Sequence, residues 1–150
     1  MRQLLFFVLL CFLTVGNIFA QDSGFGLGII LGEPTGISGK LWTKQNIAIN
    51  GAAAWSIEEK KSFHLHGDYL IHRFGYFNIK EGKLPVYHGI GGRIKLTKDK
   101  HEFGIRFPFG LAYIYEKESI DIFYEIVPIL NLFPGTTFNL NGGIGIRYYF

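Results

Sequence analysis

The stretch FGIRFPFGLAYIY, Phe103 to Tyr115, alternates from end to end. Successive side chains of an extended chain point to opposite sides. Phe103, Ile105, Phe107, Phe109, Leu111, Tyr113 and Tyr115 therefore share one face, and Gly104, Arg106, Pro108, Gly110 and Ala112 share the other. The result is a strand with one apolar side and one small or polar side. Working outward, the same alternation predicts further strands over Phe25–Leu31, Thr35–Thr43, Ile47–Ile57, Phe63–Phe74, Leu84–Leu96, Ile120–Leu132 and Thr137–Phe150, with the opening stretch inside a strand over Glu102–Tyr115. The breaks GEPT, KQN, EEKK, GYFNIKEGK, TKDK, EKES and FPGT carry turn residues. Most are short enough for hairpins between sequential antiparallel strands. Past the N-terminal segment there is no sustained helical period. An all-β, eight-stranded, antiparallel up-and-down barrel follows, because closure removes unpaired strand edges.

Which face is inside decides between a soluble barrel and a transmembrane one. A water-facing exterior would carry Lys and Glu along the strands. Here the face opposite the apolar one holds Gly24, Gly26, Gly28, Ala48, Ala52, Ala54, Gly89, Gly91, Gly143 and Gly145, which suits a narrow interior. Charges concentrate in the turns, as expected where an Arg or Lys facing lipid at mid-depth costs about 2–4 kcal/mol. Phe63, Phe74, Tyr113, Tyr115, Tyr148 and Phe150 gather near strand ends, where interfacial aromatic girdles lie. The reading is a transmembrane barrel, with lipid as its surroundings and the monomer as its expected state. If both termini lie in the periplasm, GEPT, EEKK, TKDK and FPGT face outside.

The chain has 150 residues, 48% hydrophobic and 17% aromatic, with 20 glycines. A net charge of +3, carried in mixed clusters such as EEKK and KDK, excludes a nucleic-acid stripe. Arg2 followed by LLFFVLLCFL (Leu4–Leu13) reads as a cleaved export signal over residues 1–20, with Ala20 or Gly16 before the cut. Residues 21–150 then form a single barrel domain. Cys11 would leave with the signal, so the exported chain would use no disulfide.

The closing run places Phe138, Leu140, Ile144, Ile146, Tyr148 and Phe150 on one face. It resembles the C-terminal signature of bacterial outer-membrane barrels, a terminal Phe with an aromatic two residues earlier. That implies Ile146, Tyr148 and Phe150 as a signal read by the barrel-assembly machinery, and the bacterial outer membrane as location. The stretches GLGIILGEPTGISGKLW (Gly26–Trp42), LPVYHGIGGRI (Leu84–Ile94) and LNGGIGIRYYF (Leu140–Phe150) resemble an uncharacterised family of small envelope barrels with spirochaete members. One such member is reported to bind the complement regulator factor H. The resemblance implies a surface role, with a host or envelope protein as partner at the outer turns.

HLHGD puts His64, His66 and Asp68 on one strand face, with His72 beyond, a half-site for a metal that other strands would have to complete. Polar filling of the interior is the better reading, and no metal or cofactor is expected. GEPTGISGK fails the phosphate-loop spacing, because Pro34 stands where the first glycine should be and Leu41 follows Lys40. GFGLG precedes no helix, so it is no dinucleotide fingerprint. Some outer-membrane barrels are lipid A acylases or deacylases. Ser38, Ser56, Ser62 and five histidines are present, none in a nucleophile motif. His88 falls on the outward row with Val86 and Ile90, and only a bulge near Gly91 and Gly92 would re-aim it.

Hairpin arithmetic about FPGT sets Asp121 opposite Arg147, both inward. The same arithmetic about TKDK sets Arg93 beside Arg106, a repulsive pair unless carboxylates intervene. Asp68 and Glu125 are the nearest inward acids, which predicts an Asp68, Arg93, Arg106, Glu125 network plugging the lumen. Lys40 faces the space beside the inner glycines of the first strand. Pro108 and Pro128 fall mid-strand at one height on adjacent strands, predicting a single shared kink. The functional reading is a filled, non-catalytic envelope barrel of structural or surface-interaction role. A lipid A-modifying enzyme and a narrow pore stay open as alternatives.

Overall fold

The computed structural model describes residues 24–33, 35–56 and 61–150. The predicted export segment, Pro34, and Glu58, Glu59 and Lys60 of the EEKK turn lie outside them. The strands are β1 (Gly24–Glu33), β2 (Thr35–Lys44), β3 (Ile47–Ser56), β4 (Ser62–Arg73), β5 (Val86–Thr97), β6 (His101–Arg106), β7 (Phe109–Tyr115), β8 (Ile120–Phe133) and β9 (Thr137–Tyr149). One 3-10 turn, Glu116–Glu118, separates β7 from β8. Except for β6 and β7, each strand pairs antiparallel with the next, and β1 pairs with β9, so the sheet closes on itself. Strands β6 and β7 share one place in the ring, between β5 and β8. The closed circuit is therefore eight-stranded and all-β. We call the end where β1 starts and β9 finishes proximal, and the other end distal.

The split in the opening stretch has a local cause. Arg106 pairs with Ile129 and Phe109 with Ile126, so register runs through Phe107–Pro108 unshifted. The amide of Phe107 donates to the Pro128 carbonyl, and that of Gly89 to the Pro108 carbonyl. Neither proline has an N–H with which to return the bond. The chain at Phe107–Pro108 thus lacks one ladder bond on each side. The two prolines share one defect, but β8 stays continuous through Pro128 and only the strand between its neighbours is interrupted.

The faces divide as the alternation requires. Leu27, Ile29, Leu31, Ile37, Leu41, Ile49, Leu65, Tyr69, Ile90, Ile122, Ile126, Ile144 and Ile146 point outward and are exposed. Outward aromatics collect at both ends. Tyr113 stacks on Tyr115 and Phe150 packs edge-on to Tyr148 at the proximal end, while Trp55 meets Phe63 and Phe103 meets Phe133 at the distal end. Strands of 10 to 14 residues on β1, β2, β3, β4, β5, β8 and β9 reach the roughly 9–11 needed to cross hydrocarbon at a tilt.

The connection from Phe74 to Pro85 is held to the proximal rim. Lys83 bridges to Ile114, the Ala112 amide donates to the Pro85 carbonyl, and the Tyr113 hydroxyl donates to the Glu81 carbonyl. Gly82 needs its positive φ of +77°, and a Cβ there would lie 2.5 Å from the Ile114 carbonyl oxygen. The strand expected from Leu84 begins at Val86, because Leu84 and Pro85 belong to this strap.

Candidate functional site: the barrel interior

The site is built from the inward rows of all the strands. At mid-height β1 contributes only glycine. Gly26 pairs with Lys40 and with Tyr149, and Gly28 pairs with Ser38 and with Arg147. A Cβ at Gly26 would meet the Tyr149 ring at 2.7 Å. The absence of side chains on β1 makes room for long ones on β2 and β9.

Asp121 and Arg147 face each other across the β8–β9 ladder, with Arg147 Nη1 3.4 Å from Asp121 Oδ1. Asp121 also accepts from Lys40 Nζ at 3.4 Å and from the Tyr149 hydroxyl at 2.9 Å. Arg147 donates Nε to Ser38 Oγ at 3.0 Å and Nη2 to Asn50 Oδ1 at 2.7 Å. Asn50 Nδ2 donates to Asp68 Oδ2, and Asp68 Oδ1 accepts from Arg106 Nε at 2.9 Å. Arg106 Nη2 lies 3.6 Å from Glu125 Oε1, and Glu125 accepts from the Tyr87 hydroxyl at 2.9 Å. One chain of contacts thus crosses the lumen, joining Lys40, Arg106 and Arg147 to Asp68, Asp121 and Glu125. These cations and anions match one for one, and all are buried. Aromatic faces complete the cationic environments: the Arg147 guanidinium lies 3.7 Å from the Phe123 ring centre, and Lys40 Nζ 4.3 Å from that of Trp42.

The predicted partnership of Arg93 is corrected. The β5–β6 ladder pairs Leu96 with His101 and Thr97 donates to Lys100, so the turn centres on Lys98 and Asp99, one residue earlier than expected. Register moves by two. Arg93 then opposes Gly104, and Arg106 opposes Gly91, which separates the like charges. Because Gly91 also opposes Asp68, Arg106 reaches over a residue without a side chain to the carboxylate beyond. Arg93 leaves the central network. Its Nη2 donates to Asn131 Oδ1 at 3.0 Å and lies 3.6 Å from Glu102 Oε2. Asn131 in turn donates to Thr137 and Asn139, which makes a second polar layer toward the distal end.

The bulge that would re-aim His88 is absent. The β4–β5 ladder runs unbroken from Ser62–Thr97 to Arg73–Val86, with no bulge at Gly91 or Gly92, so His88 keeps to the outward row. The irregularities lie instead at Trp42/Lys44 and Phe103/Gly104. The interior is less uniformly polar than expected. Ile30, Trp42, Leu70, Tyr87, Ile114, Phe123 and Tyr149 form an apolar cluster with the small Ala48, Ala52 and Ala112. Sequence reasoning weighed Ser38 only as a nucleophile and passed over Asn50, Tyr87, Glu102, Asn131 and Tyr149. Alternation marks each as inward, but which inward residues meet depends on register.

Among the described residues, no group of three or more His, Cys, Asp and Glu side chains is placed to hold a metal ion. His64 and His66 do not converge with Asp68. The His64 Nε2 lies 2.9 Å from the Ser62 hydroxyl, and His66 Nε2 is 3.8 Å from Asp68 Oδ2, beyond hydrogen-bond reach. The Ser62–His64 contact is the one nucleophile-and-base geometry the interior offers among those residues. Nδ1 of His64 has no acceptor among them to orient the ring, and Ser62 is buried.

An apolar exterior, aromatic bands at both ends and a paired charge network across the interior define a small β-barrel of the outer-membrane type. The structure is similar to the crystal structure of the N-terminal β-barrel domain of Pseudomonas aeruginosa OprF, with a TM-score of 0.61, 12% sequence identity, and coverage of 88% of this chain and 100% of that one. At that identity the likeness is one of fold. No protein-family model and no curated protein matches the sequence.

Proposed function

We propose that this barrel resides in a bacterial outer membrane as a filled, monomeric structural element, without catalysis and without a cofactor. The observation that carries the reading is the matched network of Lys40, Arg106, Arg147, Asp68, Asp121 and Glu125 behind an outer face that is apolar apart from His88 and the strand ends. Charges so arranged hold strands together across a lumen, because each ion of the network has a partner. The test is fractionation. The protein is expected in the outer membrane, with gel mobility that changes on boiling, and recovery in a soluble fraction would overturn the reading. Ile146, Tyr148 and Phe150 serve in this proposal as the assembly signal. Phe150→Ala should lower the outer-membrane level severalfold while purified protein still refolds into micelles, because the backbone bond from Phe150 N to the Phe25 carbonyl survives the change.

Interaction with a host or envelope protein at the distal turns is the finer part of the proposal. The described turns there, 98–100 and 134–136, are short. A standard interface needs about 800 Å² per partner. Complement-regulator binding is therefore tested directly, by capture on cells with and without the protein. The Ser62–His64 contact favours one second reading, a lipid A acyl hydrolase. That reading requires a lipid A mass change on overexpression that Ser62→Ala abolishes.

A further inference from the structure

Four buried nitrogen atoms on β4 and β5 have no hydrogen-bond partner among the described residues: Nδ1 of His64, Nδ1 and Nε2 of His66, and Nε of Arg93. A neutral imidazole carries one N–H, so they supply one donor from Arg93 and one from His66, with His64 Nδ1 a third when its Nε2 accepts from Ser62. They belong to one patch. His66 and Arg93 oppose each other across the ladder, and His64 follows two residues along the same inward row. Directly opposed Cβ atoms lie about 4.5–5.5 Å apart, so the three side chains enter the same part of the lumen. The surrounding wall is small: Ala52 opposes His66, Ala54 opposes His64 and Gly104 opposes Arg93. His66 and Arg93 are 6% and 4% exposed.

Nearby acids do not satisfy these donors. Asp68 is engaged by Arg106 and Asn50. Glu102 stands 3.6 Å from Nη2 of Arg93, with its side chain 26% exposed. Among the fully buried charges, Lys40, Arg93, Arg106 and Arg147 stand against Asp68, Asp121 and Glu125, and the cation left over is Arg93. Lys95, between His64 and Glu102 in the ladders, adds positive charge nearer the distal end. Buried donors left unsatisfied are destabilising, so a cluster of them beside a surplus cation calls for an acceptor carrying negative charge.

We propose that this patch binds a small oxyanion of the phosphate class, entering from the distal end and held by Arg93, His66 and His64. A tetrahedral oxyanion accepts several hydrogen bonds at once, which suits a guanidinium edge beside imidazole N–H groups. A metal cation would be repelled by Arg93. The site is in the lumen and does not depend on which membrane holds the barrel.

The test is calorimetric titration of the folded protein in zwitterionic micelles with inorganic phosphate, against sodium chloride at matched ionic strength. Saturable one-to-one binding is expected. Arg93→Gln should weaken it about tenfold or more, the effect of losing one charge-assisted donor. His66→Leu should weaken it as well, and Glu102→Gln should tighten it by removing the competing carboxylate. Boiling-dependent gel mobility checks that each variant is folded, and either of the two weakening variants suffices if the other does not fold. Absence of phosphate-specific binding in both the unaltered protein and Glu102→Gln overturns the proposal, leaving water as the partner of these donors. Binding unchanged by Arg93→Gln or by His66→Leu also overturns it, and places the ion on rim lysines such as Lys98 and Lys100.

Discussion

A methyl group added at Gly91 would run into the Asp68 carboxylate and the Gly67 carbonyl, whereas at Gly92 nothing lies within 4 Å. Gly91 is the inward residue over which Arg106 reaches Asp68, and Gly92 is on the outward row. Gly91→Ala should therefore lower unfolding stability in urea by about 1–3 kcal/mol through overpacking and a displaced ion pair. Gly92→Ala should stay within about 0.5 kcal/mol of the parent. Equal effects would mean that the interior tolerates movement at Asp68. Asp121 presents the opposite case, a side chain whose removal leaves others stranded. It accepts from Lys40, Arg147 and Tyr149, so Asp121→Ala should cost about 3–5 kcal/mol in the same assay. Ser38→Ala should cost only about 1 kcal/mol, because Arg147 keeps Asn50 and Asp121.

Strand β8 and the divided β6–β7 strand show how much a pattern of alternation can say. Inward and outward rows were legible throughout, even across Phe107–Pro108, because side-chain parity survives a lost ladder bond. Asp121 opposite Arg147 was legible too, since the turn between their strands is centred as the FPGT residues suggest. The Arg93–Arg106 pairing was not. The turn at Lys98–Asp99 lacks the glycine that would mark its centre, and an error of one residue at the turn moves the register by two. The two prolines were legible as one defect, but which strand it breaks depends on where the missing donors point. If the interruption is due to those donors, Pro108→Ala combined with Pro128→Ala should supply bonds to the Gly89 and Phe107 carbonyls. Slow hydrogen exchange is expected at the amides introduced at positions 108 and 128. Net stability should change by less than about 1 kcal/mol, since each gained bond is offset by a looser unfolded chain. Fast exchange at both positions would place the cause of the break elsewhere.

For the whole molecule, the question is whether a ring of eight strands leaves a path along its axis. Barrels of this strand number have an interior just wide enough for side chains to fill. Here two kinds of filling coexist. The charge network crosses from β2 to β9 at mid-height, and Trp42, Leu70, Tyr87, Phe123 and Tyr149 pack against it as an apolar cluster. Removing a single charge leaves the aromatic rings in place, so closure does not rest on one ion pair. Planar-bilayer recording should accordingly show no sustained conductance for the unaltered protein. Arg93→Ala should remain closed, because Arg93 lies in the distal layer outside the central network. Arg106→Ala should also remain closed while losing stability, because Asp68 and Glu125 then face each other without their cation. A double change, Arg106→Ala with Phe123→Ala, removes one member of each filling and is the combination expected to open a path. Conductance in the unaltered protein, or in Arg93→Ala alone, would mean that water passes the network as it stands, and would replace the filled barrel with a narrow pore.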